Sequence, residues 1–209
     1  MGSEMCIRDS ACRVLVAVTP DDDEDATRAR ERDQLVWDLH FGVEPAPSTV
    51  DVYDVVDDAL LARIAELAAP SRHVVAGHDF YPVSVFVHGA RDEPLTIAER
   101  VAAYDREARA WYGRYARPYW VAETSNLGLP VEEGPRWLGA LVECIDRLRS
   151  DGFPARGICW YSRGDQFDWQ TMLTRPVGAV TEVGLFDVDR RARPVAAAYA
   201  ALADRWRDA

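Results

Sequence analysis

Hydrophobic positions along the chain follow two alternating rhythms. Short β-branched or aromatic runs predict buried strands, and longer stretches with apolar residues three and four apart predict helices. Arg13 to Val18 (RVLVAV) reads as the first strand, and a helix from Asp23 to Leu39 follows it. Thr19 or Asp21 can cap that helix, and the acidic run Asp21 to Asp25 complements its dipole. Val52, Val55, Val56, Leu60, Leu61, Ile64 and Leu67 place a second helix over residues 51–68. Arg72 to Ala76 leads into a second strand that ends near Tyr81, and residues 83–87 (VSVFV) read as extended. Glu93 to Tyr115 is helical, with Ile97, Val101, Tyr104, Ala108 and Trp111 on one face. Pro118 to Ala122 is the third strand, and residues 135–150 form an amphipathic helix through Trp137, Leu141, Cys144, Ile145 and Leu148. Gly157 to Tyr161 is the fourth strand, Thr181 to Val188 a late extended segment, and Pro194 to Trp206 a closing helix.

Strands separated by helices predict a parallel sheet with right-handed crossovers. No GxGxxG follows any strand, so a dinucleotide-binding fold lacks its fingerprint. The alternation amounts to about four βα units, half of what an eight-unit barrel requires.

Composition narrows the function classes. With 209 residues, 48% of them hydrophobic, the chain can bury one sizeable core. The net charge of −11 argues against nucleic acid, whose phosphates need a basic face, and suits a neutral substrate. All 24 basic residues are arginine, a pattern read as coding bias. No apolar run approaches a membrane span or a signal-peptide core. Cys6, Cys12, Cys144 and Cys159 form no CxxC, and His40, His73, His78 and His88 make no zinc-type pattern with them. Free thiols, a cytoplasmic location, no metal and no cofactor are therefore expected. The acidic run is no calcium loop, because its glycine and closing glutamate are missing.

The segment Trp120-Val121-Ala122-Glu123-Thr124-Ser125-Asn126 carries the chemistry. An apolar strand runs straight into a single carboxylate and then a small polar loop. At the C-terminal rim of a parallel barrel, such a position holds catalytic groups. A carboxylate among tryptophans and tyrosines suits sugar chemistry; a loop-capping glutamate is the plain alternative.

Several landmarks in order resemble the C-terminal half of glycoside hydrolase family 1, the retaining β-glycosidases. RVLVAVTPDDDEDATRARERDQLVWDLHFG resembles the family's fifth strand and following helix, down to the turn at Asp38-Leu39-His40-Phe41. Gly77-His78-Asp79-Phe80-Tyr81 resembles the sixth strand, where the family writes Asn-Tyr-Tyr. Trp120-Val121-Ala122-Glu123 resembles the seventh, and Gly157-Ile158-Cys159-Trp160-Tyr161-Ser162 the eighth. Asp165-Gln166-Phe167-Asp168-Trp169 resembles the family's Asp-Asn-Phe-Glu-Trp, with one residue inserted after Trp160. Val183 to Asp189, with Arg193-Pro194, resembles the closing strand and arginine-rich turn.

The resemblance implies a (β/α)8 TIM barrel of which residues 11–209 are the C-terminal half, strands five to eight. Residues 1–10, MGSEMCIRDS, look like an adapter-derived or tag-like segment foreign to the rest. It implies Glu123 as catalytic nucleophile and Tyr81 as the hydroxyl that orients it. Trp160, Asp168, Trp169 and Asp79 fall at sugar-binding positions, although Trp160 also reads as plain core. His78 reads as a structural histidine and Arg193 as an ion-pair partner. The family's Asn-Glu-Pro acid/base motif does not occur, so the second carboxyl is expected in a missing N-terminal half. The implied activity is hydrolysis of small β-glucosides or related sugars by the full-length parent, the fragment alone being inactive and marginal or self-associating. A non-catalytic sugar-binding or scaffold barrel, and a different barrel hydrolase with the same two carboxylates, remain as alternatives.

Overall fold

A computed structural model describes residues 11–13, 16–18, 24–46, 49, 58–68, 75–87, 93–171 and 173–207. The elements in chain order are β1 (Ala11–Arg13), β2 (Val16–Val18), α1 (Glu24–Phe41), α2 (Asp58–Ala68), β3 (Ala76–Asp79) and β4 (Val85–Val87). They continue with α3 (Ile97–Tyr115), β5 (Tyr119–Thr124), α4 (Gly134–Ser150), β6 (Ala155–Trp160), β7 (Gln166–Phe167), β8 (Val180–Thr181) and α5 (Pro194–Arg207). The fold is mixed α/β. Four strands pair in the order β1-β3-β5-β6, and every pairing is parallel.

Most elements stand where the hydrophobic rhythm puts them, and the differences have local causes. The first strand is two pieces: β1 pairs with β3, and β2 pairs with β4 outside the main sheet. The extended segment expected at 83–87 opens with a 3-10 turn at Pro82–Ser84, where proline sits at the turn start. Helix α3 begins at Ile97 rather than Glu93, because Thr96 caps it. The Thr96 hydroxyl accepts the Glu99 N–H at 3.2 Å, and the Glu99 carboxylate accepts the Thr96 N–H at 2.8 Å. The late segment 181–188 is strand only at Val180–Thr181; beyond it the chain turns tightly at Gly184. A Cβ there would stand 2.4 Å from backbone atoms of Gly164 and Asp165, so glycine alone fits. The N-terminal part of the helix expected at 51–68, and residues 1–10 with Cys6, lie outside the described residues. Cys144 and Cys159 are free thiols.

The core lies between the sheet and its helices and is strongly aromatic. From β3, His78 packs against Trp37 of α1, Tyr104 and Trp111 of α3, and the Tyr119 ring of β5, with centroids between 4.8 and 6.1 Å. Phe80 meets Tyr104 at 4.6 Å and Trp137 of α4 at 5.7 Å. Asp38, on the last turn of α1, is 1% exposed and joins α1 to α3. It takes a two-pronged ion pair from Arg114 at 2.7 and 2.8 Å and the Tyr115 hydroxyl at 2.7 Å. Charge-assisted, two-pronged bonds of this kind are the strong ones. Among the described residues, no helix is long and apolar enough to cross a membrane.

His78 is 1% exposed, and its Nδ1 lies 3.3 Å from the Tyr104 hydroxyl. Burial pushes its pKa down from 6.5 to about 3, so the folded protein keeps the ring neutral. The unfolded chain takes up this proton below about pH 6.5 and the folded chain does not. Stability therefore falls as pH drops from about 6.5 towards 3, by up to about 1.4 kcal/mol per pH unit from this group. Urea unfolding between pH 7 and pH 4 should show a steeper loss for the wild type than for His78→Phe, which keeps the ring stack without the titrating nitrogen. Identical slopes would contradict this origin.

Candidate active site

Strict alternation along β5 would aim Glu123 the wrong way. Tyr119 and Val121 are both buried, and Tyr119 packs with Trp111 on the helix side. Two residues further on, Glu123 would face the helices as well. The pairing register prevents this. His78 pairs with Val121 but Asp79 pairs with Glu123, and on the other side Val121 and Thr124 pair with Ile158 and Trp160. One extra residue is thus accommodated in β5 near Ala122. A bulge of this kind reverses the phase of every later side chain. Thr124 takes the helix side, where its Oγ1 accepts the Trp137 indole N–H at 2.9 Å. Glu123 is left on the opposite face.

On that face Tyr81 donates its hydroxyl to Glu123 Oε2 at 2.7 Å. Among the described residues, Glu123 Oε1 accepts no hydrogen bond. Tyr81 is fixed by the turn that follows it: its N–H donates to Ser84 Oγ at 3.0 Å, and its carbonyl accepts the Ser84 N–H at 2.9 Å. Arg100 holds the same turn by donating to the Pro82 and Val85 carbonyls. Burial, then the hydrogen bond and charge of Glu123, then the charge of Asp79, push the Tyr81 pKa well above its ordinary value. Its proton is held for Glu123 throughout the working pH range. Cys159 and Tyr161 also lie within the field of Glu123; for each, burial first and that charge second raise the pKa.

The other sequence-predicted residues divide. Asp79, half-buried, stands in register beside Glu123 and within the field felt by Tyr81. Trp169 is half-buried and lies 5.7 Å from the Tyr161 ring at 49°. Trp160 is 4% exposed, and its indole N–H donates to the Val183 carbonyl at 2.9 Å. It points at the helix layer, beside Gly134 and Val195, away from the face that carries Glu123. The aromatic residue of this strand end that lies within the field of Glu123 is Tyr161, the next residue. Sequence reasoning missed it, and the alternation of a strand buried on its tryptophan side was the signal. Asp168 adopts a left-handed backbone, φ 56°, and its Oδ1 accepts the N–H groups of Val177 and Ala179, both at 3.0 Å. This carboxylate staples the loop between β7 and β8.

The loop after β6 is held by Asp165, whose carboxylate accepts Arg193 at 2.5 Å and the Gly184 N–H at 2.9 Å. Arg193 also reaches Glu182 at 3.0 Å. Arg193 is thus the structural ion-pair partner expected of it. Among the described residues, no group of three or more histidine, cysteine, aspartate or glutamate side chains could hold a metal ion.

Solved structures that share this architecture include β-glucosidases. The β-glucosidase from Thermotoga maritima in complex with deoxynojirimycin superposes with a TM-score of 0.73 at 12% identity, over 93% of this chain and 49% of its own. The GH1 β-glucosidase from Exiguobacterium antarcticum B7 gives 0.68 at 15% identity, over 95% and 51%. The β-glucosidase from Exiguobacterium marinum gives 0.68 at 13%, over 93% and 51%. The fold is that of half a family 1 β-glucosidase. This chain spans about half the length of the structures it matches. No family model and no curated protein matches its sequence.

The Thr124 acceptor holds the strand end that carries Glu123. Thr124→Val leaves the Trp137 indole N–H buried without a partner, which costs about 1–3 kcal/mol. Urea unfolding of the variant measures this, and a loss under about 0.5 kcal/mol would mean that the bond contributes little.

Proposed function

We propose that this chain carries the nucleophile half of a retaining β-glycosidase that hydrolyses small β-glucosides or related sugars. The four parallel strands are then strands five to eight of an eight-stranded barrel, with the remaining units supplied by residues outside this sequence. The observation that carries the reading is the Tyr81–Glu123 hydrogen bond, which fixes one carboxylate oxygen and leaves the other open.

Glu123 Oε1 attacks the anomeric carbon as the bond to the departing oxygen breaks, giving a glycosyl ester on Glu123. A second carboxyl protonates that oxygen and then deprotonates the water that hydrolyses the ester. In retaining enzymes the two carboxyl groups stand about 5–5.5 Å apart. The second one is assigned to residues outside this sequence, since no Asn-Glu-Pro occurs in it. Tyr161 and Trp169 offer ring faces to the C–H side of a sugar, and Asp79 accepts from its hydroxyls. With Tyr161 rather than Trp160 as the platform, the extra residue before Asp165 disappears and the spacing to Asp-Gln-Phe-Asp-Trp becomes regular. Solved β-glucosidases with this fold are described in complex with deoxynojirimycin and with isofagomine lactam, which supports a sugar-like ligand.

The second reading, a sugar-binding or scaffold barrel without catalysis, is favoured by one observation. Asp168, at a sugar-binding position of the family, has one oxygen committed to two backbone N–H groups.

The two readings separate on covalent trapping in the native protein that contains this chain. A 2-deoxy-2-fluoro β-glucoside should ester-link to Glu123, as located by peptide mass spectrometry, and Glu123→Gln should abolish the adduct. Tyr81→Phe should slow trapping by about tenfold to a hundredfold, the worth of one hydrogen bond to a charged group. An adduct on another residue, or none despite sugar binding, supports the non-catalytic barrel.

A further inference from the structure

A second opening lies beside the site described above. It is a groove of about 460 Å³ between the loop 126–131, which follows β5, and the segment 180–183 that begins with β8. That volume is within the range of small-molecule sites, about 300–1,000 Å³.

Asn126 makes the groove a fixed shape. It is 5% exposed, and its Nδ2 donates to the Leu129 carbonyl at 3.3 Å and the Glu182 carbonyl at 3.0 Å, tying one wall to the other. Gly128 lets the loop lie close to the turn after Tyr81: at φ 88°, a Cβ on it would stand 2.3 Å from Val83. The lining then divides by chemistry. Leu129 and Val131 give it aliphatic surface. Gln170 and Thr181 line it too, and among the described residues neither the Gln170 amide nor the Thr181 hydroxyl makes a hydrogen bond. Asn126 Oδ1 is likewise uncommitted. Neutral donors and acceptors therefore converge on one aliphatic hollow. Glu182 at its rim disfavours an anion, and the nearby Arg193 is committed to Asp165 and Glu182.

We infer that this groove is a second carbohydrate site, which binds a neutral pyranoside ring through the Gln170 amide, the Thr181 hydroxyl and Asn126 Oδ1. The ring's C–H face lies on Leu129 and Val131, and its hydroxyls exchange hydrogen bonds with the neutral groups. The site is separate from the Glu123 face and shares with the proposed function only the class of ligand.

Titration of the native protein that contains this chain with methyl β-D-glucopyranoside, followed by ¹H–¹⁵N correlation spectra, tests it. The side-chain NH₂ signals of Gln170 and Asn126 and the backbone signal of Thr181 should move together and saturate. The combined Gln170→Ala, Thr181→Val variant should weaken that affinity by about tenfold, the worth of two modest neutral hydrogen bonds. A measurement on the unaltered chain guards against a variant that unfolds. Methyl β-D-glucuronide, which carries a carboxylate, should move the same signals about tenfold more weakly because of Glu182. Shifts confined to Tyr81, Glu123 and Trp169 overturn the groove and support the proposed sugar face. Equal response to the two glycosides overturns the groove's neutral selectivity, and no shift anywhere overturns both sites.

Discussion

One extra residue in β5 decides what this sheet can do. The helix-side positions Tyr119 and Val121 set a rhythm that, continued, would bury Glu123 among the aromatic rings of α3 and α4. The register shift near Ala122 breaks it, and a neutral threonine enters the core in place of a carboxylate. The exchange satisfies two demands at once. Thr124 supplies the acceptor that the buried Trp137 indole needs, and Glu123 takes the open face within reach of Tyr81. Burying an unpaired carboxylate would cost far more than the local disruption of the ladder.

The opposite face of the sheet explains why that geometry holds. Phe80, His78 and Tyr119 occupy successive helix-side places and interlock with Trp37, Tyr104, Trp111 and Trp137. Rings of this size bury large areas and tolerate little sliding. A slip of β3 by one residue would put Asp79 or Gly77 in the place of His78, and Tyr81 or Asp79 in the place of Phe80. The packing of the core thus fixes the direction of Asp79, Tyr81 and Glu123, none of which belongs to it.

Element order and the place of Glu123 at the end of its strand were legible in the sequence because both follow from the apolar runs, but the face it takes was not, because the register shift near Ala122 sets it. The βα alternation is written in runs such as RVLVAV and in the spacing from Ile97 to Trp111, whereas the start of α3 at Ile97 emerged only with the Thr96–Glu99 cap. The pairing of Tyr81 with Glu123 came from resemblance, since 42 residues separate them and no local pattern links them. What stayed hidden depends on phase and on backbone geometry. Trp160 and Tyr161 are adjacent aromatics, and only the side of the strand that meets α4 and α5 tells which of them is core. Asp168 looks like a ligand for hydroxyls until the loop is seen folding back so that Val177 and Ala179 present their N–H groups to it.

The clamp at Asp38 has a consequence for the order in which the chain becomes structured. Its partners Arg114 and Tyr115 lie 76 and 77 residues downstream, at the far end of α3. Until those residues have left the ribosome, α1 ends in a carboxylate with nothing to neutralise it, and the ring of Trp37 has no Trp111 to pack on. The first βα unit of this chain therefore gains this latch only when a later unit closes over it.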